Sequence, residues 1–146
     1  MSYNLKMKIL ALDLGDVYIG TAISDENLII GAPLKTVYAE DLKEFLRDIL
    51  VKEKILTIVV GLPITMRGTE SQQTKKIIND KELLEKEFPS ASWVLWDERL
   101  TSKMAAGKGR SNSKEDKFQS HSLAAAFILN SYLTYLSTQN DNWEDF

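Results

Sequence analysis

The sequence predicts an α/β fold in which helices cover both faces of a mixed five-stranded sheet. Three short apolar segments follow one another near the start of the chain, with turn residues between them, which is typical of an antiparallel meander. Apolar residues then recur at helical spacing over residues 40–53, and a continuous apolar run, ILTIVVGLP, comes next. A meander followed by alternating helices and strands is typical of a sheet with helices packed on it.

Each element follows from the local pattern of apolar and turn-forming residues. We expect strands over 8–15, 18–25 and 28–37, a helix over 40–53, and a strand over 55–63 that Pro63 ends. A helix over 68–88, a strand over 92–98 and a last helix with an apolar stripe from Ala125 to Leu136 follow. The acidic residues from about 138 to 146 are expected to fray as a tail, and residues 1–146 to form one domain.

The composition excludes several classes of protein. The chain has 146 residues, a formal net charge of -3 and no cysteine, so a disulfide framework and thiolate zinc sites are excluded. No apolar run approaches the roughly 18 residues of a membrane span, and the first residues lack a signal-peptide core. We therefore expect a cytoplasmic protein without a membrane partner.

Asp13 lies in the middle of the apolar run ALDLG, at the end of the first predicted strand. An ionised carboxylate near a buried strand costs several kcal/mol unless it is paired or bound to a metal. One interpretation is that Asp13 caps its own turn at Gly15. The other is that it binds a hard cation, because carboxylates are the ligands that Mg²⁺ and Mn²⁺ prefer.

Asp97 and Glu98 directly follow the fifth predicted strand. Since successive side chains of a strand point to opposite faces, only one of the two can point towards Asp13. The alternative is a solvated strand end at which Asp97 or Thr101 caps the next helix.

Thr69 fits the N-cap of the predicted helix over 68–88. The exposed amides at the start of that helix either hold a phosphate oxygen or are simply capped.

His121 is the single histidine of the chain and shares one helical face with the apolar stripe of the last helix. We expect it in the first turn, on the side facing the sheet, with Ser120 or Ser122 as a cap. It is either a metal ligand or a structural histidine.

The stretch from Arg99 to Lys117 is basic within an acidic chain. It is either a solvated loop or a segment that contacts phosphates.

Four ordered motifs together resemble the YqgF/RuvX-like family of RNase H-like nucleases, from about residue 8 to residue 136. The opening motif D-x-G-x-x-x-I-G-x-A-x-S-D is matched by Asp13, Gly15, Ile19, Gly20, Ala22, Ser24 and Asp25. The G-L-P…G-T-E motif is matched by Gly61, Leu62, Pro63, Gly68, Thr69 and Glu70. The D-E-R-x-T/S motif is matched by Asp97, Glu98, Arg99 and Thr101, and the last motif by Ala124, Ala125, Ile128 and Leu129.

The resemblance implies an RNase H-like fold and a metal-dependent phosphodiesterase, a hydrolase acting on ester bonds. Relatives are assigned to 5′-end maturation of precursor 16S ribosomal RNA, with Holliday-junction cleavage as an older assignment. Two cations, Mg²⁺ or Mn²⁺, would lie about 3.5–4 Å apart. Asp13, Glu98 and His121 would be the catalytic metal ligands, with Asp97 a secondary candidate. The implied substrate contacts are Gly15, Gly20, Arg67, Thr69, Glu70, Arg99, Thr101, Lys108 and Arg110.

The chain departs from the family pattern at two places. The closing acid of the family falls at His121, and imidazole suits Mn²⁺ better than Mg²⁺. Asp16, Val17 and Tyr18 stand where relatives commonly carry basic residues. Three hypotheses follow: a nuclease acting on structured RNA within ribosomal precursor particles, a nuclease acting on branched DNA, or a catalytically weak nucleic-acid-binding module in ribosome assembly. The protein would be a monomer or a homodimer.

Overall fold

The computed structural model describes residues 7–63, 71–97 and 114–144, with side chains from 117 to 139 in the last range. The strands are β1 (Lys8–Leu14), β2 (Tyr18–Ser24), β3 (Gly31–Tyr38), β4 (Ile55–Leu62) and β5 (Ser92–Asp97). The helices are α1 (Leu42–Lys52), which follows a 3-10 turn over Ala39–Asp41, α2 (Gln72–Glu87) and α3 (Lys114–Glu144). The predicted order of strands and helices is confirmed.

The five strands form one sheet in the order β3-β2-β1-β4-β5. The first three strands are antiparallel neighbours, whereas β4 runs parallel to both β1 and β5. The sheet is therefore mixed, with β1 at its centre. The carboxyl ends of β1, β4 and β5 lie at the same edge, which is where ligand sites of such sheets gather.

The two faces of the sheet bury different kinds of side chain. On one face, large side chains of the strands such as Leu10, Leu12 and Val60 pack with α1 and α2. On the other face, Ala11 and Ala22 belong to the core built around α3. Because these residues are small, the backbone of α3 can approach the sheet closely.

α3 approaches the sheet closely at Gly20. A Cβ atom at this position would lie 1.8 Å from the carbonyl oxygen of His121. No real Cβ comes so near a backbone atom, so the absent side chain of Gly20 is what admits the helix. The group that lies against Gly20 in the structure is therefore the backbone of α3.

The prediction of a strand over 28–37 is wrong at its start. Residues 28–30 form part of a loop, and Ile29 is 75% exposed. The carboxylate of Asp25 accepts hydrogen bonds from the amides of Asn27, Ile29 and Ile30, so these amides are not available to a neighbouring strand. The strand begins at Gly31, once these bonds have been made.

Two helix ends also differ from the predictions. The N-cap of α2 is Ser71, whose hydroxyl accepts a hydrogen bond from the amide of Thr74, so the prediction of Thr69 as the cap is wrong. The last helix continues through Glu144, so the predicted fraying from about 138 is wrong as far as that residue. Once a helix is nucleated, each added residue gains a hydrogen bond even where the sequence is polar.

We predict that Gly20→Ala destabilises the fold by about 1–3 kcal/mol, because the added methyl group requires a backbone to move. Gly31→Ala is the matched comparison, for which we expect a smaller loss. There the Cβ would lie 2.6 Å from the buried Leu129 side chain, so the atoms that have to move belong to a side chain and not to the backbone. Urea denaturation measures both free energies of unfolding. Equal losses for the two variants would contradict the importance of the contact at Gly20.

Candidate functional site

Asp13 lies one residue before the end of the central strand, half-buried, on the face covered by α3. Its partner on β2 is Gly20. On the other side, Val60 of β4 pairs with Leu12, so Gly61 follows at the level of Asp13. The carboxylate therefore has a glycine on each neighbouring strand, and on the Gly20 side the backbone of α3 covers the strand.

The carbonyl group of His121 lies against Gly20, the strand partner of Asp13. Its ring is 5.3 Å from the ring of Tyr18, with the two planes tilted by 39°. The prediction that His121 lies in the first helical turn is wrong, because α3 begins at Lys114. Ser120 and Ser122 are not caps: their hydroxyls donate to the carbonyls of Lys117 and Gln119.

Asp97 ends β5 and pairs with Leu62. Alternation along β5 puts Asp97 on the same face as Trp93 and Leu95, which belong to the core under α1 and α2. Asp97 and Asp13 therefore lie on opposite faces of the sheet. Glu98 lies outside the described residues, as do Arg67, Thr69, Glu70, Arg99, Thr101, Lys108 and Arg110.

A known protein family and several relatives match this chain over most of its length. The sequence profile of the family described as "RuvX: Holliday junction resolvase" matches residues 7–135. The chain belongs to the RuvX family. It is 36% identical over 129 residues to a protein of Rubrobacter xylanophilus named "Putative pre-16S rRNA nuclease", covering 86% of this chain and 91% of that protein. A protein of the same name from Caldanaerobacter subterraneus subsp. tengcongensis is 38% identical over 136 residues, covering 87% and 96%.

Two solved structures share the fold. RuvC of T. thermophilus in complex with a Holliday junction substrate superposes with a TM-score of 0.61 at 9% identity, covering 90% of this chain and 96% of that one. A second structure, of Thermus thermophilus RuvC, gives a TM-score of 0.55 at 12% identity, covering 90% and 97%. The predicted RNase H-like fold and the resemblance to the RuvX family are both confirmed.

The donor atoms of the described part of the site suit a hard divalent cation. Asp13 has carboxylate oxygens at the carboxyl end of β1, and His121, whose carbonyl group lies against the neighbouring Gly20, has an imidazole that packs beside Tyr18. Among the residues that the structure describes, no three histidines or acids come together as a metal cluster. The third predicted ligand, Glu98, is outside that part of the chain, so the full set of ligands stays a prediction. The two described residues fit Mn²⁺ or Mg²⁺.

Asp16 and Gly15 form the turn after β1 in the RuvX opening motif. A Cβ at Gly15 would lie 2.4 Å from the carbonyl oxygen of Tyr18, so the tightness of the turn requires glycine. The Asp16 carboxylate accepts a hydrogen bond of 2.8 Å from Lys76 of α2, and this bond raises the pKa of Lys76. Asp16 is thus paired with a cation at the protein surface.

Two aromatic residues that the sequence motifs did not indicate lie against Tyr18, the ring beside His121. Tyr38 pairs with Tyr18 across β2 and β3, and Phe118 lies one turn before His121 on α3. The rings of Tyr38 and Phe118 are each 5.4 Å from the ring of Tyr18. The available signal was the spacing of three between Phe118 and His121, which puts them on one helical face.

Ser24 and Asp25 close the opening motif at the other end of the sheet, away from Asp13. The Ser24 hydroxyl accepts a buried hydrogen bond of 2.8 Å from the amide of Ile9. The amides of Ile30, Ile29 and Asn27 hold the pKa of Asp25 below its usual range. In this structure, both residues stabilise the start of β1 and the loop that leads to β3.

No helix in the described part of the chain has the length and apolarity to cross a membrane.

We predict that Asp25→Asn lowers stability at neutral pH, because the ionised carboxylate accepts three amide hydrogen bonds. Since the pKa of Asp25 is lowered on folding, its contribution is full above about 3.9 and is lost as the pH falls below that value. Urea denaturation across this range should show wild type and variant converging in acid. Asp48→Asn, at an exposed position on α1, is the control. A constant difference at all pH values would contradict the assignment.

Proposed function

We propose that this chain is a metal-dependent endonuclease that hydrolyses phosphodiester bonds at the 5′ end of precursor 16S ribosomal RNA. The observation that carries the proposal is the half-buried Asp13, at the carboxyl end of the central strand and flanked by two glycines. Its support is the family membership and the name of the relatives that are 36% and 38% identical over nearly their whole length. The reaction would take place in the cytoplasm, on ribosomal precursor particles.

Asp13, Glu98 and His121 would hold the divalent cations. Such cations would activate a water molecule and stabilise the leaving oxygen. Asp13 is suited to this role because a central strand holds its backbone and the pairing with Gly20 fixes its level against α3.

The substrate backbone would be held by residues that follow β4 and β5. Arg67, Arg99, Lys108 and Arg110 carry the positive charge that phosphates require, whereas Thr69, Thr101 and Glu70 are further candidates. Parallel strands end at one edge, so the segments after β4 and β5 both start beside Asp13. Asp97, on the opposite face, would act only through the backbone or through Glu98.

A second candidate function is cleavage of branched DNA, and the description of the family favours it. Contacts to phosphates are alike for the two polymers, so the residues do not separate them. Cleavage of a four-way junction on both sides would favour a two-fold dimer. The third candidate function is that of a catalytically weak RNA-binding module, which a cleavage assay distinguishes from both nucleases.

We predict that Asp13→Asn reduces Mn²⁺-dependent cleavage of a precursor 16S 5′ leader by at least about 100-fold, while leaving RNA binding in chelator nearly unchanged. The amide cannot supply the negative charge that a metal ligand requires at this position. Gel assays on the RNA leader and on a four-way DNA junction, run side by side, measure the rate and the substrate class.

Asp97→Asn is the matched control, because it changes the same chemical group on the opposite face. It should lower the rate far less than Asp13→Asn. Full activity of Asp13→Asn would exclude the proposed site. Salt-sensitive RNA binding without metal-dependent cleavage by the wild type would favour the binding module.

We predict that His121→Asp raises the cleavage rate in Mg²⁺ relative to the rate in Mn²⁺ by several-fold, because a carboxylate is a harder ligand than imidazole. His121→Phe keeps a ring beside Tyr18 and removes the nitrogen donors, so it should lose activity in both metals. The ratio of the two rates is the measurement. If His121→Phe cleaves as fast as the wild type, His121 is a structural residue and not a ligand.

A further inference from the structure

Four rings form an aromatic cluster beside the proposed site: Tyr18, Tyr38, Phe118 and His121. Tyr18 is at its centre, within 5.4 Å of each of the other three rings. The Thr36 hydroxyl donates a hydrogen bond of 2.7 Å to the carbonyl of Phe118, which ties α3 to the same strand that carries Tyr38. The cluster is thus held by two strands and a helix.

One ring of the aromatic cluster is turned to solvent. Tyr38 is 48% exposed, whereas Tyr18, Phe118 and His121 are half-buried. A single exposed tyrosine is ordinary on a protein surface. This one is unusual because two further rings support it from behind and strand pairing with Tyr18 fixes its backbone. Such an arrangement offers a flat apolar surface at little further cost in side-chain entropy.

The aromatic cluster lies within reach of a strand of nucleic acid bound at Asp13. Asp13 pairs with Gly20, Gly20 pairs with Thr36, and Tyr38 follows on the same face. With strands about 4.8 Å apart and about 3.4 Å per residue, the backbones of Asp13 and Tyr38 are about 12 Å apart. Lys117, exposed on α3 next to Phe118, can contact a phosphate.

We propose that Tyr38, supported by Tyr18 and Phe118, stacks on an unpaired base of the substrate close to the cleaved phosphate. Bases of a duplex already stack on their neighbours, whereas a base in a single strand has a free face. The contact would therefore select substrates with a single-stranded segment on this side of the site. Stacking is tolerant of sequence, because every base has an aromatic face. This inference rests on the proposed nuclease function and adds the feature of the substrate that is recognised.

The test uses single-stranded RNA and DNA of one sequence, each with the fluorescent base 2-aminopurine at successive positions, and the matching duplexes. Binding is measured in chelator, so that no cleavage takes place. We expect the wild type to quench the fluorescence at one or two positions, and Tyr38→Leu to lose that quenching and about tenfold in affinity for single strands. Tyr38→Phe keeps the ring and should bind as the wild type does. Affinity for the duplexes should be the same for all variants.

Tyr135→Leu is the matched control, because Tyr135 is 43% exposed and also lies in a group of rings, with Trp96 and Tyr132. It is about 21 Å along α3 from His121 and should leave quenching unchanged. Thermal unfolding of each variant shows whether it is folded. If Tyr38→Leu does not fold, Tyr38→Thr takes its place, because threonine suits a strand and has no ring, and the same loss of quenching and affinity is expected.

Equal quenching and affinity in the wild type and Tyr38→Leu would overturn the stacking proposal while leaving the nuclease proposal intact, provided that the wild type cleaves RNA or DNA in Mn²⁺. An equal loss of affinity for duplex and single strand would also overturn it. A wild type that neither binds nor cleaves either polymer would overturn the nuclease proposal, and the stacking proposal with it. Loss for RNA alone or for DNA alone would support stacking and identify the polymer.

Discussion

The contact between the His121 carbonyl and Gly20 is the constraint on which the rest of the site depends. Only a residue without a side chain allows α3 to lie against β2 at this point, 1.8 Å from where a Cβ would be. The contact sets the height of the helix over the sheet. The rings of His121 and of Phe118, one turn earlier, therefore both come against Tyr18. A helix placed further out would separate these groups without changing the sheet.

The two strands beside β1 differ at the level of Asp13. On the β2 side the helix backbone fills the space over Gly20, whereas on the β4 side the buried Gly61 pairs with Trp96 of β5. The segments after β4 and β5 carry most of the basic and hydroxyl residues that the family resemblance implicates in substrate binding. These proposed basic contacts therefore follow the parallel half of the sheet, whereas the aromatic cluster lies on its antiparallel half.

Tyr18 and His121, the two residues at which the motifs of the chain depart from the expected pattern, are in contact with each other. Their rings are 5.3 Å apart and tilted by 39°. Each ring therefore limits the positions open to the other, so substitutions at the two positions are expected to be coupled. Asp16, in the same segment as Tyr18, is paired with Lys76 at the surface.

The sequence alone determined the order and type of the described strands and helices, because the period of the apolar residues differs between a strand and a helix. It also indicated Asp13 as a candidate site residue, since burying an ionised carboxylate costs free energy unless the group is paired or bound to a metal. It did not determine the strand start at Gly31, because the amides of Ile29 and Ile30 bond to a side chain and not to a strand. Only the tertiary structure decided that Asp97 and Asp13 lie on opposite faces of the sheet. It also decided that the ring of Tyr38 contacts the ring of Tyr18. These relations depend on which strands pair and in what register, and local periodicity contains no information on either.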